Sequence, residues 1–257
     1  MENAKILIYD GSFNGFLTTV FKAFDQKWNI LDIQKDNGKQ KELFSDTETI
    51  ITEIDLAKRV WNGIEKKSHE TIKTIYFAYQ SEAKDIEFLL FKYIKQLFFS
   101  TAGTTLSFEE ENLSKIRQLA KLVGREKRHM EAFVDMYQSK DAVYFAVISP
   151  DYDILPLISK HFRSKYKDEH WLVYDSKRGY GIFYEGYKVE MISLDLGDYY
   201  KNPDFYSNVS KNEGHGVTDI SNGYLKNIEI QPHILPKQSL SGMQRGYRPF
   251  FSERTAV

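Results

Sequence analysis

The chain has 257 residues, of which 35 are basic and 36 acidic, and it contains no cysteine. The missing cysteines exclude disulfides, a catalytic thiol, zinc–cysteine sites and cysteine-ligated iron–sulfur clusters. No apolar run approaches the roughly 18 residues of a membrane span and no signal-peptide pattern opens the chain, so we expect a cytoplasmic protein without a membrane partner.

The amino-terminal segment predicts a strand, a helix and a second strand. An apolar run over residues 5–9 indicates the first strand, and an apolar stripe predicts a helix over residues 13–27. Alternation in "TETIITEI", residues 47–54, indicates the second strand. This order is typical of a parallel strand pair.

The middle of the chain is predicted to be helical. Asp55 and Ser68 are placed to cap two helices, and the apolar segment 84–99 indicates a third helix in the core. A longer helical pattern extends from Glu109 to Gln138.

The last regular segments form a strand, a helix and a meander. Residues 142–148 indicate a strand, and a short helix with Pro156 in its first turn follows. The meander strands are predicted at residues 171–175, 181–184 and 188–194.

These elements together predict an α+β fold. We expect one domain over residues 1–195, with a helical middle section and a carboxyl-terminal β-meander whose strands share a mixed sheet with residues 5–9. Residues 196–257 are polar and irregular and predict an extended tail.

Positive charge is concentrated in "KIRQLAKLVGREKR", residues 115–128, which holds six basic side chains and one acidic one, Glu126. At about 100° per residue, part of this charge gathers on one side of a helix, away from the apolar stripe. The residues of this basic stripe are Arg117, Lys121, Arg125 and Arg128. Such a stripe is what phosphate contacts require, and a solvated helix face is the alternative interpretation.

The turn after the first strand, "DGS", is a second candidate site. Backbone N–H groups of Gly11 and Ser12 at a helix amino terminus are suited to bind an anion. The alternative is that Asp10 or Ser12 only caps the helix while Gly11 permits a tight turn. No nucleotide-binding motif is present, so the sequence indicates no cofactor.

Two histidines and two basic residues complete the candidates. Two roles stay open for His129: a hydrogen bond in the core and a contact at the binding face. For His161 a structural role is favoured. Neither histidine has metal-ligand spacing, so no metal site is predicted. Lys177 and Arg178 lie at a hairpin tip, where they are either ordinary surface residues or contacts to a nucleic-acid backbone.

Three acidic residues end strands or occupy turns: Asp151, Asp153 and Asp175. In these positions carboxylates are available for general acid–base chemistry. Turn formation explains Asp151 and Asp153 equally well.

Three segments in this order resemble a bacterial family of domains of unknown function: "YDGSFNGFLTTVFKAF", "GREKRHMEAFVDM" and "SPDYDILPLISKHF…DEHWLVYDSKRGYGIFY". Members of that family are described as DNA metabolism or DNA repair proteins. They are encoded beside a radical S-adenosylmethionine protein and are sometimes fused to a uracil-DNA glycosylase. The resemblance covers about residues 5–195.

The resemblance implies a DNA-binding accessory protein that acts with a radical S-adenosylmethionine partner in DNA repair or modification. The missing cysteines fit a helper, because the cluster of such an enzyme needs three of its own. Two alternatives stay open: an enzyme that processes nucleic acid with His129 and a carboxylate as acid and base, and an adaptor that binds an acidic protein.

Overall fold

A computed structural model of the chain describes residues 4–36, 46–99, 110–138 and 143–193. Within these ranges it contains eight strands and six helices, in two compact units that comprise Met1–Arg125 and Glu126–Val257. The tail predicted over residues 196–257 lies outside the described residues.

Unit 1, Met1–Arg125, combines a small parallel sheet with several helices. Its elements are β1 (Lys5–Tyr9), α1 (Phe13–Asp25), β2 (Ile30–Lys35), β3 (Asp46–Thr49), α2 (Ile54–Lys67), α3 (His69–Tyr79), α4 (Ile86–Phe99) and the first part of α5 (Glu110–Phe133). Strand β1 lies between β2 and β3 and is parallel to both. The parallel strand pair expected at the amino terminus is therefore confirmed.

An aromatic cluster forms the core of unit 1. The Phe13 ring lies 5.0 Å from Tyr76 and 4.9 Å from Tyr79, measured between ring centroids, and Trp61 meets Phe13 edge-on at 6.2 Å. These residues come from α1, α2 and α3 and are almost completely buried. Large aromatic rings in such contacts contribute strongly to core stability, so the start of α1 is held firmly.

Unit 2, Glu126–Val257, is built around a five-stranded mixed sheet. Its elements are the end of α5, β4 (Tyr137–Gln138), β5 (Val143–Ile148), α6 (Leu155–Lys165), β6 (His170–Asp175), β7 (Tyr180–Glu185) and β8 (Val189–Ser193). The sheet order follows the chain, from β4 to β8. Strands β5 and β6 are parallel with α6 between them, and the other neighbours are antiparallel.

The predicted α+β fold class and the β6–β7–β8 meander are confirmed. The expectation of one shared sheet is wrong, because β1 pairs with β2 and β3 and not with the strands of unit 2. Strand β2 satisfies the pairing of β1 locally, within the same strand–helix–strand segment. The two compact units are defined by their internal contacts, and such units can belong to a single domain. The prediction of one domain over residues 1–195 therefore stays a prediction.

Two local boundaries differ from the predictions, and one predicted helix cap is confirmed. Asp55 does not cap α2, because the capping position is Glu53 and Asp55 lies in the first turn, where it pairs with Lys58 at 3.2 Å. Ser68 does cap α3, since its hydroxyl accepts a hydrogen bond from the Thr71 N–H. Helix α5 ends at Phe133 and not at Gln138, because residues 137–138 pair with β5.

The predicted second strand is also shorter than its pattern. Strand β3 stops at Thr49, and the apolar residues of the second half lead into α2. The alternation of "TETIITEI" continues past Thr49 because Ile50 is buried and its N–H still donates to the Ile8 carbonyl of β1, at 2.7 Å.

Candidate nucleic-acid interface

Helix α5 carries the basic stripe, and its own sequence explains why it is a helix. Glu110 and Glu111 occupy the first turn, where negative charge suits the helix dipole. Ile116 and Val123, seven residues apart on one side, are completely buried and attach the helix to the protein.

The four residues of the basic stripe are all exposed. At about 100° per residue they span an arc of about 80° on the side away from Ile116 and Val123. Arg117 has a contact with Glu110, 3.6 Å between Nη1 and Oε1, with both side chains more than half exposed. Exposed ion pairs of this kind contribute little and are easily exchanged for a ligand.

Arg125 and Arg128 have no carboxylate partner within 4 Å among the residues that the structure describes. Lys127, between them, behaves differently, because its ammonium group lies 2.5 Å from the Glu131 carboxylate and both side chains are mostly buried. Thus α5 separates a cation that is used within the helix from two arginines that face solvent.

His129 is exposed, which excludes a hydrogen bond in the core. Its ring lies 4.8 Å from the Phe133 ring, one helical turn further along α5. In the described part of the chain no carboxylate lies within 4 Å of the His129 ring nitrogens. The acid–base pair that an enzyme would need therefore has no geometric support there.

Glu126 attaches α5 to the turn that follows β5. Its two carboxylate oxygens accept hydrogen bonds from the backbone N–H groups of Asp151, at 2.7 Å, and Tyr152, at 2.9 Å. Hydrogen bonds to an ionised acceptor are among the stronger ones in proteins. Sequence reasoning treated Glu126 only as the single acid in a basic segment, whereas the structure gives it a positioning role.

Asp175, at the end of β6, is completely buried and is compensated by Arg178. The Arg178 Nη1 atom donates to Asp175 Oδ2 at 2.8 Å, and the other oxygen accepts from the backbone N–H groups of Lys177 and Arg178. A buried carboxylate needs such partners, because leaving it unpaired costs several kcal/mol.

Arg178 also holds the turn after β5. It donates from Nη1 to the Pro150 carbonyl at 3.2 Å and from Nη2 to the Asp151 carbonyl at 3.0 Å. With its side chain only 13% exposed, Arg178 supports the fold, and its contact to a nucleic-acid backbone stays a prediction. Lys177 is half exposed, and its ammonium group lies 3.4 Å from the exposed Asp151 carboxylate.

The remaining acidic candidate, Asp153, accepts a very short hydrogen bond from the Tyr180 hydroxyl. Burial, with the Asp153 charge second, raises the pKa of Tyr180 well above its ordinary value, so this hydroxyl stays protonated. Asp151, Asp153 and Asp175 thus all take part in holding turns. His161 has a buried Nε2 atom that finds no hydrogen-bond partner among the described residues, and the structure adds nothing to its predicted structural role.

The turn after β1 is closed by its own side chains. The Asp10 carboxylate accepts from the Ser12 N–H at 3.0 Å and from the Ser12 and Thr52 hydroxyls, and the Ser12 hydroxyl caps α1 through the Gly15 N–H. Gly11 has φ +77°, which favours glycine. An anion would have to displace Asp10 from Ser12, so the turn lends no support to the predicted anion site.

Buried tyrosines lie beneath the same turn. The Tyr79 hydroxyl donates to the Gly11 carbonyl at 2.6 Å and lies 2.9 Å from the Tyr9 hydroxyl, which donates to Glu87 at 3.2 Å. Burial, and next the Glu87 charge, raises the pKa of Tyr9 far above its ordinary value. Burial also raises the pKa of Tyr79. The network supports the turn through two tyrosine hydroxyls that stay protonated.

The described residues contain no group of acidic or histidine side chains suited to a metal ion. None of the helices among them is long and apolar enough to cross a membrane. A sequence model of a family described as a domain of unknown function, DUF4130, matches residues 84–253. The match includes α5 and the turns of unit 2 but not the turn after β1. No curated protein matches the chain.

Proposed function

The chain belongs to the DUF4130 family of domains of unknown function, and on this premise we propose that it binds DNA through the basic stripe of α5 as a non-catalytic accessory protein. The observation that carries the proposal is the exposure of all four stripe residues on one face of a helix. DNA affinity depends mainly on phosphate contacts, and exposed cations that are not held by acids supply them at little cost.

The ion pairs within unit 2 determine which other basic residues we include among the proposed DNA contacts. Lys177 is included, because its pairing with Asp151 is between exposed groups and is weak. Arg178 is left out, because moving its guanidinium to a phosphate would leave Asp175 buried and unpaired.

A role in DNA repair or modification beside a radical S-adenosylmethionine protein is the second part of the proposal. The sequence resemblance supports it, together with the absence of cysteine, which leaves the chain unable to hold such a cluster by thiolates. Co-purification of the two proteins from cells that express both tests this part independently of DNA binding.

Salt dependence of DNA binding tests the first part. If the stripe neutralises up to about four phosphates of a duplex, the slope of log affinity against log salt concentration is about −3 to −4. The double variant Arg125→Ala with Arg128→Ala should flatten this slope by about two units.

The matched control removes two exposed lysines from other helices, Lys66→Ala with Lys95→Ala, and should leave the slope unchanged. Equal slopes for wild type and the arginine variant would remove α5 from the interface. Salt-independent capture of an acidic protein would instead favour the adaptor, and conversion of DNA by the purified protein alone would favour an enzyme.

A further inference from the structure

Two exposed aromatic rings on α5 lie beside the basic stripe, and they suit one form of DNA better than the other. Among the described residues, Phe133 is one of the few large apolar side chains that are mainly exposed, at 71%. It is joined by the exposed His129 ring, with 4.8 Å between centroids and 42° between ring planes. The two rings form a small aromatic surface, which we call the ring pair.

The position of the ring pair relative to the cations is set by the helix. With about 100° per residue, His129 and Phe133 lie about 40° to 80° beyond the edge of the basic stripe that Arg125 forms. Leu122, 38% exposed, lies on the same flank as the ring pair. One exposed arc of α5 therefore presents cations first and flat aromatic rings next to them.

We propose that the ring pair takes an unpaired DNA base by stacking, while the basic stripe holds the phosphates of the same strand. This inference rests on the DNA binding proposed above and specifies single-stranded DNA as the ligand. Proteins that bind single strands without reading sequence combine a basic track with rings on which bases stack. In a duplex the base faces are covered by their neighbours, so exposed rings beside the cations would gain nothing there.

The experiment compares a single-stranded oligonucleotide with a duplex of the same length and sequence, using the full chain. The wild type binds the single strand more tightly. Phe133→Ala weakens single-strand binding by about 5- to 150-fold, which corresponds to about 1–3 kcal/mol per stacked base. Duplex affinity and the salt slope stay nearly unchanged, because no cation is removed.

Phe133→Tyr is the matched variant, since it keeps a ring and should retain single-strand affinity. Fluorescence of 2-aminopurine placed in the strand gives a direct readout of stacking: its emission falls on binding wild type and much less on binding Phe133→Ala. Since Phe133 is exposed, unchanged far- and near-ultraviolet circular dichroism is expected for both variants.

The outcomes separate the two proposals. If neither form of DNA binds with a salt slope, the DNA-binding proposal fails. If DNA binds with the expected slope but the duplex is preferred, or Phe133→Ala weakens both forms equally, the stacking inference alone is overturned.

Discussion

The two units solve the same structural problem with different chemistry. Each contains a parallel strand–helix–strand segment, β1–α1–β2 in unit 1 and β5–α6–β6 in unit 2, and each must stabilise the turn at the carboxyl end of its first strand. Unit 1 uses hydroxyl groups, from Tyr79 to a backbone carbonyl and from Ser12 and Thr52 to Asp10.

Unit 2 uses charge for the same purpose. The turn after β5 is held by the Glu126 carboxylate from one side and the Arg178 guanidinium from the other. The difference teaches that many charges of unit 2 are already employed within the fold. Arg178 is used in this way, whereas Arg128 and Lys177 of the same unit stay exposed to solvent.

The largest expected effect is the loss of the Arg178 side chain. Arg178→Met leaves the fully buried Asp175 carboxylate without its ionic partner and should destabilise unit 2 by about 3–5 kcal/mol. Amide hydrogen exchange, resolved by peptide, should show faster exchange in β6 and β7. Lys177→Met is the control and should change stability by no more than about 0.5 kcal/mol. Equal effects of the two variants would contradict the buried pair.

In unit 1 close neighbours make Gly15 sensitive to a larger side chain. A methyl group there would lie 2.1 Å from the Asp10 carboxylate and 2.8 Å from the Thr52 hydroxyl, so Gly15→Ala should destabilise by about 1–3 kcal/mol. Thermal unfolding gives the measurement. In the double variant with Asp10→Ala the effects should be less than additive, because the closest of these contacts, the one with Asp10, is removed. Strict additivity would show that the contact is relieved in another way.

Removing the Glu126 carboxylate should have an intermediate effect with a functional consequence. Glu126→Ala leaves the Asp151 and Tyr152 N–H groups without their acceptor and should cost about 1–2 kcal/mol. DNA affinity should fall although no cation is lost, because the end of α5 that carries Arg128 is less firmly positioned. Glu126→Gln keeps one acceptor oxygen and should lie between Glu126→Ala and wild type. A Gln variant worse than the Ala variant would argue against this role.

The smallest effect at neutral pH is expected for Tyr79→Phe, about 1 kcal/mol from the lost hydrogen bond to Gly11. The pH dependence is more informative. Tyr9 and Tyr79 have raised pKa values, so above about pH 10 the unfolded chain loses these protons first and stability falls. Urea unfolding between pH 8 and pH 11 should show a shallower alkaline decline in the variant, by up to about 1.4 kcal/mol per pH unit.

Tyr187→Phe serves as the control for that series, since Tyr187 is 85% exposed. Its alkaline decline should match that of wild type. A decline that is equally steep in Tyr79→Phe would show that the tyrosine network does not govern the alkaline behaviour of unit 1.

Much of the fold follows from local signals. The apolar run of β1, the Ser68 cap of α3 and the turn residues between β6 and β7 each act within a few residues of the chain. Strand β2 escaped prediction because it has a half-exposed surface, with Leu31 facing solvent. The separation into two sheets depends on which strands meet in space, and no local pattern contains that information.

The candidate site likewise contains residues that local sequence predicts and residues whose role depends on the tertiary structure. Helical periodicity alone predicts the basic stripe, because all four residues lie on one element. The role of Glu126 depends on a turn that lies 25 residues further along the chain. For Arg178 a local signal exists, since Asp175 ends a strand three residues earlier, but only the structure shows that the aspartate is buried.

The internal pairing of unit 2 has a consequence for comparing members of the family. Wherever selection retains Glu126, Asp175 and Arg178 together, the demand for a folded turn is a sufficient cause, and their recurrence would say little about a shared ligand. Arg128, His129 and Phe133 are exposed and add little to stability. Conservation of these three residues among relatives, or their joint loss in one lineage, would therefore be evidence of a ligand-binding role.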